Sequence, residues 1–233
     1  MKTLIYNLPP IETQYDVVTG VSAGTLNGAA LSVFPPGQEK EYVDFSMALW
    51  KGIKASDIFK YWTGGIATGI LGFAPSLLNN DPLRQLLIRV LDGKKVERKF
   101  SIGTCDANTA EYVVYTYEPE EKRSEDLIET LIASAAIDGV FPPVLRDGRT
   151  LVDGGSIWNT NIPSAVEGCR ELGYEDKNII VDYVLCAGTE MAERETEDFH
   201  AFKHLLNAWE IRSFYGGMGD VERTKPFYPE VNF

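Results

Sequence analysis

Residues 15–30 read YDVVTGVSAGTLNGAA, Tyr15 through Ala30. The β-branched apolar run Val17-Val18-Thr19 predicts a short buried strand over YDVVTG. Ser22 then stands between Gly20 and Gly24 in a Gly-x-Ser-x-Gly spacing, and small and apolar residues from Ser22 to about Phe34 predict a helix ended by Pro35-Pro36-Gly37. A turn this sharp between strand and helix tolerates only small neighbours around a serine on strained backbone. Ala23, Thr25, Asn27, Gly28 and Ala29 meet that demand. The start of such a helix offers amide N–H groups and a positive dipole end near the serine oxygen, with Ala23 N–H the first candidate as an oxyanion donor. On this spacing alone two readings stand: an exposed nucleophile, or a plain N-cap serine after a glycine turn.

Working outward, EKEYVDFSMALWKG (39–52) predicts a second helix, and Asn80 or Asp81 caps a third with Pro82 in its first turn and Leu83, Leu86, Leu87 and Val90 facing inward. KFSIGTC and EYVVYTY read as strands joined by a turn at Asp106-Ala107-Asn108. SEDLIETLIASAA is a helix opened by Ser124 and two acids, as the helix dipole prefers. RTLVDGG is a strand stopped by glycines, IPSAVEGCRELG a helix, NIIVDYVLCAG a strand buried on both faces, and FHAFKHLLNAWEIRSF a last helix. Strands alternate with helices from end to end. That predicts a single α/β domain over residues 1–233, a three-layer sandwich with a largely parallel central sheet.

Composition bounds the function. A net charge of -12 excludes a nucleic-acid footprint, which needs basic residues, and excludes broad electrostatic attraction to anionic membranes while leaving apolar contact with lipid open. Cys105, Cys169 and Cys186 are odd in number and widely spaced, which predicts neither a disulfide framework nor a zinc ribbon, and no metal site. The opening residues lack the apolar length of a signal peptide, so a cytoplasmic protein is expected, with peripheral membrane contact a second option. Tyr61 to Leu78 is uncharged, but its glycines and Pro75 suit a buried or loop-like segment better than a spanning helix.

A serine needs a base. The two histidines, His200 and His204, lie four apart on a predicted amphipathic helix and read as solvated or packing residues. The order Ser22, Asp153, His200 matches that of α/β-hydrolases, but several strands precede the nucleophile in that fold and only about 20 residues do here. Asp153 is the better partner. It ends an apolar strand, where α/β sheets place their sites, and Gly154-Gly155 lets another backbone or a substrate approach. By itself, an Asp-Gly pair also reads as a tight turn.

Together these residues resemble one family, the patatin-like phospholipases. GVSAG followed by LNGAA resembles its nucleophile elbow and helix, NNDPLRQLL is similar to its middle helix, and ASAAIDGVFPPVLRDGRTLVDGGSIWNTNIPSA resembles the segment carrying its Asp-Gly-Gly/Ala motif. The resemblance runs from about residue 15 to 190. It implies a Ser–Asp dyad without histidine, Ser22 as acyl-accepting nucleophile and Asp153 as its base. It implies acyl esters of glycerolipids and phospholipids as substrates, and no cofactor. Asp is a weak base in water, so such a dyad relies on geometry, an apolar surround and oxyanion stabilisation.

Family members carry a strand and a Gly-rich, Arg-containing loop that supplies oxyanion amides before the corresponding region, and residues 1–19 contain neither glycine nor arginine. An N-terminally incomplete domain is therefore expected. A non-catalytic lipid- or protein-binding module is the alternative function. WKGIKASDIFKYWTGGIATGILGF mixes Trp50, Phe59, Tyr61 and Trp62 with Lys51, Lys54 and Lys60, which reads either as an interfacial flap or as core packing with a lysine edge.

Overall fold

A computed structural model describes residues 1–120, 125–185 and 193–233. The elements run α1 (Lys2–Asn7), β1 (Val17–Val21), α2 (Ala23–Ser32), α3 (Glu39–Gly52), α4 (Ala55–Ile58), α5 (Ile66–Ile70), α6 (Asp81–Val90), β2 (Lys99–Asp106) and β3 (Glu111–Tyr117). They continue with α7 (Glu125–Ser134), β4 (Val144–Arg146), β5 (Arg149–Asp153), α8 (Ile162–Glu171) and α9 (Ala201–Thr224). Asn80 precedes α6 and Pro82 sits in its first turn, as the sequence predicts. The predicted opening residue of α7, Ser124, lies outside the described residues.

The α/β layering follows from strand alternation. Val18 and Phe100 face α2, where Gly28 lets the helix approach so closely that a Cβ there would lie 2.8 Å from the Phe100 ring. Val17 and Lys99 face α8 across Gly168, on the other side of the sheet. The larger core joins the sheet to α2, α3, α6 and α7 through Ile102, Leu131, Leu87 and their neighbours. A smaller one packs Ile162 and Val166 of α8 against Val181, Val221 and Val231. At one end of the larger core Arg98, almost fully buried, is held by Glu39 at 3.0 Å and by the carbonyls of Phe34 and Tyr15.

The sheet is mixed. β1 and β2 pair in parallel, with Val17 opposite Lys99 and Val21 opposite Gly103. The β2–β3, β2–β5 and β4–β5 pairings are antiparallel. Short turns enforce this in the β2–β3 and β4–β5 hairpins, because a parallel pair needs a long crossover; β5 reaches β2 only after β3, α7 and β4. In the β4–β5 hairpin, Asp147 and Gly148 both adopt positive φ, 52° and 74°, which only a tight turn of this hand requires.

One predicted strand does not form. Over residues 178–185 of NIIVDYVLCAG the backbone makes an isolated parallel bridge from Ile180 to Asn232, with Val181 N–H bonded to Asn232 O at 2.8 Å and Asn232 N–H to Ile179 O at 3.0 Å. Ile179 and Val181 are buried, whereas Ile180, Tyr183 and Val184 face solvent. A strand forms where a neighbour satisfies its backbone groups. Here the segment faces a cavity instead of a sheet edge, and residues 186–188 lie outside the described residues.

Candidate active site

The site arises from how β1 and β5 share one edge of β2. β3 covers β2 on one side from Phe100 to Asp106, all but its first residue. On the other side β1 pairs along residues 99–103 and β5 along 104–106, running in opposite directions. The C-terminal ends of β1 and β5 therefore meet head-on at the Gly103–Thr104 peptide: Val21 lies opposite Gly103, Asp153 opposite Thr104. Two glycines make the junction tight enough. A Cβ on Gly20 would sit 2.5 Å from Thr25 Cα, and one on Gly154 would sit 2.6 Å from the Gly103 carbonyl oxygen.

Ser22 follows β1 with φ 54° and ψ -126°, a conformation that non-glycine residues rarely hold and that surrounding contacts must enforce. Its backbone N–H donates to Ser134 Oγ at 3.1 Å, and Ser134 in turn donates to the Gly103 carbonyl at 2.7 Å. Ser22 Oγ donates to Asp153 Oδ2 at 2.5 Å, and Asp153 Oδ1 accepts the Gly155 N–H at 2.8 Å. Asp153 is 5% exposed. Burial pushes its pKa up to about 6; the Ser22 hydroxyl and the Gly155 amide pull the other way, and the nearby charge of Asp138 adds to the rise. Asp138 is itself fixed by the Ser156 hydroxyl, which donates to it at 2.6 Å.

A cavity of about 1090 Å³ opens over this pair. It runs along β1 from Val17 to Ser22, and the 180–185 segment forms part of its wall. β1 has no strand on this side among the described residues. Ala23 and Gly24, in the first turn of α2, line the cavity; first-turn amides have no acceptor inside their own helix. A Cβ on Gly24 would meet nothing within 4 Å, so this glycine, unlike Gly20, is not required by packing. Trp50 borders the cavity from the end of α3, its indole N–H donating to Asn27 Oδ1 at 2.9 Å. Farther out, Arg194 and Glu210 line it as an ion pair.

Residues 5–166 match the family model for patatin-like phospholipase. The chain is a patatin-like phospholipase family member. Lipid acyl hydrolysis is the activity typical of the patatin-like family, which implies a lipid substrate.

The predicted residues thus fall into two groups. Ser22, Asp153, Gly20, Ala23, Gly24, Gly154 and Gly155 converge on one junction. His200 and His204 do not: both are exposed and outside the cavity lining, His200 at the start of α9 and His204 beside the Phe199 ring. Among the described residues no cluster of His, Cys, Asp or Glu is arranged to hold a metal ion. Sequence reasoning missed Ser134 and Asp138. A serine at the end of the buried apolar face of α7 was a signal for the first; Asp138 had none beyond its closeness to that helix.

Proposed function

We propose that the chain is a serine acyl hydrolase of glycerolipid esters, with Ser22 as nucleophile and Asp153 as general base. The supporting observation is the 2.5 Å contact between Ser22 Oγ and Asp153 Oδ2 at the floor of the cavity. Ser22 Oγ attacks the ester carbonyl carbon as its proton passes to Asp153. The oxyanion forms beside the Ala23 N–H and the N-terminus of α2, where the helix dipole favours negative charge. Collapse expels the alcohol, which takes the proton back from Asp153 and leaves an acyl-serine. Water then adds to the acyl carbon, giving its proton to Asp153, and the fatty acid leaves as Ser22 regains its hydrogen. A carboxylate with a pKa near 6 is a better proton acceptor than one in water, yet is ionised at neutral pH.

The ester comes from a membrane or lipid aggregate, so the protein works as a peripheral, cytoplasmic enzyme. No helix among the described residues is long and apolar enough to cross a membrane. The second reading, a non-catalytic lipid- or protein-binding module, is favoured by the outer edge of β1, which pairs with no strand among the described residues and leaves oxyanion stabilisation to the α2 amides.

Fluorophosphonate labelling separates the two. Wild type reacts, whereas Ser22→Ala does not and Asp153→Asn is slowed about 10²–10⁴-fold, the range for a general base. A folded wild type that resists the probe and still binds lipid would leave only the binding module.

A further inference from the structure

The uncharged run from Tyr61 to Leu78 is closed off by its own backbone. Lys60 N–H bonds to Asn79 O and Asn79 N–H to Lys60 O, each at 2.9 Å, so the stretch leaves and re-enters the fold at a pinched neck. The result is a large Ω-shaped lobe. Inside it the polar groups are satisfied: Trp62 Nε1 donates to Ser76 O at 3.0 Å and Thr68 Oγ1 to Thr63 O at 2.8 Å. Gly64, Gly65 and Gly72 take the positive φ angles that turn the chain. The apolar side chains are left outside. Tyr61, Ile66, Ile70, Leu71 and Phe73 are exposed, Phe73 at 79% and Leu71 at 67%. Trp62 and Phe59 are half-buried and hold the lobe together.

We infer that residues 61–78 are a membrane-docking lobe that seats the mouth of the Ser22 cavity on a phospholipid bilayer. Exposed apolar surface this concentrated marks a contact site. Its position names the partner. Leu77 and Leu78 N–H groups bond to Gly139 O and Val140 O, next to Ile137 and Asp138 of the cavity wall. Before the neck in sequence, Trp50 and Lys51 in the last turn of α3 also line the cavity. The lobe is thus bonded to the chain beside one stretch of that wall and follows another by about ten residues. Exposed Lys51 and Lys54 stand at its base and Lys60 at its neck, paired with Asp81 at 3.0 Å. Lysines at this level reach phosphate groups while the apolar tip enters acyl chains. With a net charge of -12, long-range attraction contributes little, so docking rests on apolar insertion and persists on zwitterionic lipid. The choice of a bilayer rests on the glycerolipid reading, but the test does not depend on turnover.

The test is flotation of the full chain carrying Ser22→Ala with phosphatidylcholine vesicles, at low and high salt. The expected result is salt-tolerant binding that weakens at least about tenfold when Ile70→Ser, Leu71→Ser and Phe73→Ser are combined, since burying even one such side chain contributes about that factor. Circular dichroism and thermal unfolding of the variant should match the parent, because these side chains face water. Absence of flotation, flotation abolished by salt, or flotation indifferent to the three substitutions would each overturn the lobe's role. The hydrolase reading is judged separately: lobe-dependent flotation by a chain that resists fluorophosphonate sinks hydrolysis and keeps docking, and labelling with lobe-independent flotation does the reverse.

Discussion

Asp153→Asn should make the protein more stable at neutral pH while disabling it. In the fold the Asp153 carboxyl titrates near 6, against about 3.9 in an unfolded chain. Between those values the folded protein keeps a proton that the unfolded chain has released, so stability falls as pH rises through the window and levels off above it. Two units at about 1.4 kcal/mol each amount to roughly 3 kcal/mol of destabilisation at pH 8, about half of that at pH 5, and almost none near pH 3. Asn keeps the shape and carries no charge to bury; its one carbonyl oxygen accepts the Ser22 hydroxyl, while its NH2 meets the Gly155 N–H that Asp153 Oδ1 accepts, a loss of about 1 kcal/mol at every pH. Urea unfolding should therefore show the variant ahead by about 2 kcal/mol at pH 8 and by about 0.5 kcal/mol at pH 5. For a domain of this size, about 2 kcal/mol raises Tm by roughly 4–8 °C. A variant no more stable than wild type at pH 8, or one whose advantage does not change with pH, would refute the argument that burial penalises the ionised carboxylate.

The same group sets an acid limb. Labelling of Ser22 by fluorophosphonate should rise with pH around an apparent pKa of about 6, and Asp138→Asn, which removes a neighbouring negative charge, should move that midpoint to lower pH in a stopped-time labelling series. Gly20→Ala forces a Cβ to within 2.5 Å of Thr25 Cα; calorimetry should register a loss of about 1–3 kcal/mol, with labelling lost at temperatures where the chain is still folded. Glu39→Ala leaves the buried Arg98 guanidinium without its counter-charge and should cost about 3–5 kcal/mol in urea unfolding; an effect below about 1 kcal/mol would mean that the Phe34 and Tyr15 carbonyls suffice.

The elbow was legible because its constraints are local. Strand, small-residue turn and helix follow each other within residues 15–30, and the observed α2 begins at Ala23, directly after the serine. The partnership of Ser22 with Asp153 was legible only through motif order, since nothing within either segment says that β1 and β5 share an edge of β2. The antiparallel pairings carried a signal that alternation of strands and helices overrode: the Asp106–Asn108 turn already implied a hairpin, and Asp147-Gly148 marked a second that accounts for the unpredicted β4. The apolar run from Ile179 to Leu185 misled for a different reason. Its composition suits a buried strand, but pairing is a property of what lies alongside, and there the cavity intervenes. Burial of Asp153, which lifts its basicity, has no sequence signature at all.

The meeting of β1 and β5 on one edge of β2 has a consequence for when the protein acquires reactivity. Ser22 and Asp153 are 131 residues apart and touch only after β1 and β5 have both paired along the same edge of β2 as a template. During synthesis a chain that has emerged only as far as α7 owns a serine elbow with no proton acceptor. A slip of β5 by one residue along β2 would carry the carboxylate about 3.3 Å away and turn it to the opposite face. Under the proposed mechanism, nascent and misregistered molecules lack the Ser22–Asp153 pair, and a covalent serine probe doubles as a readout of completed sheet assembly.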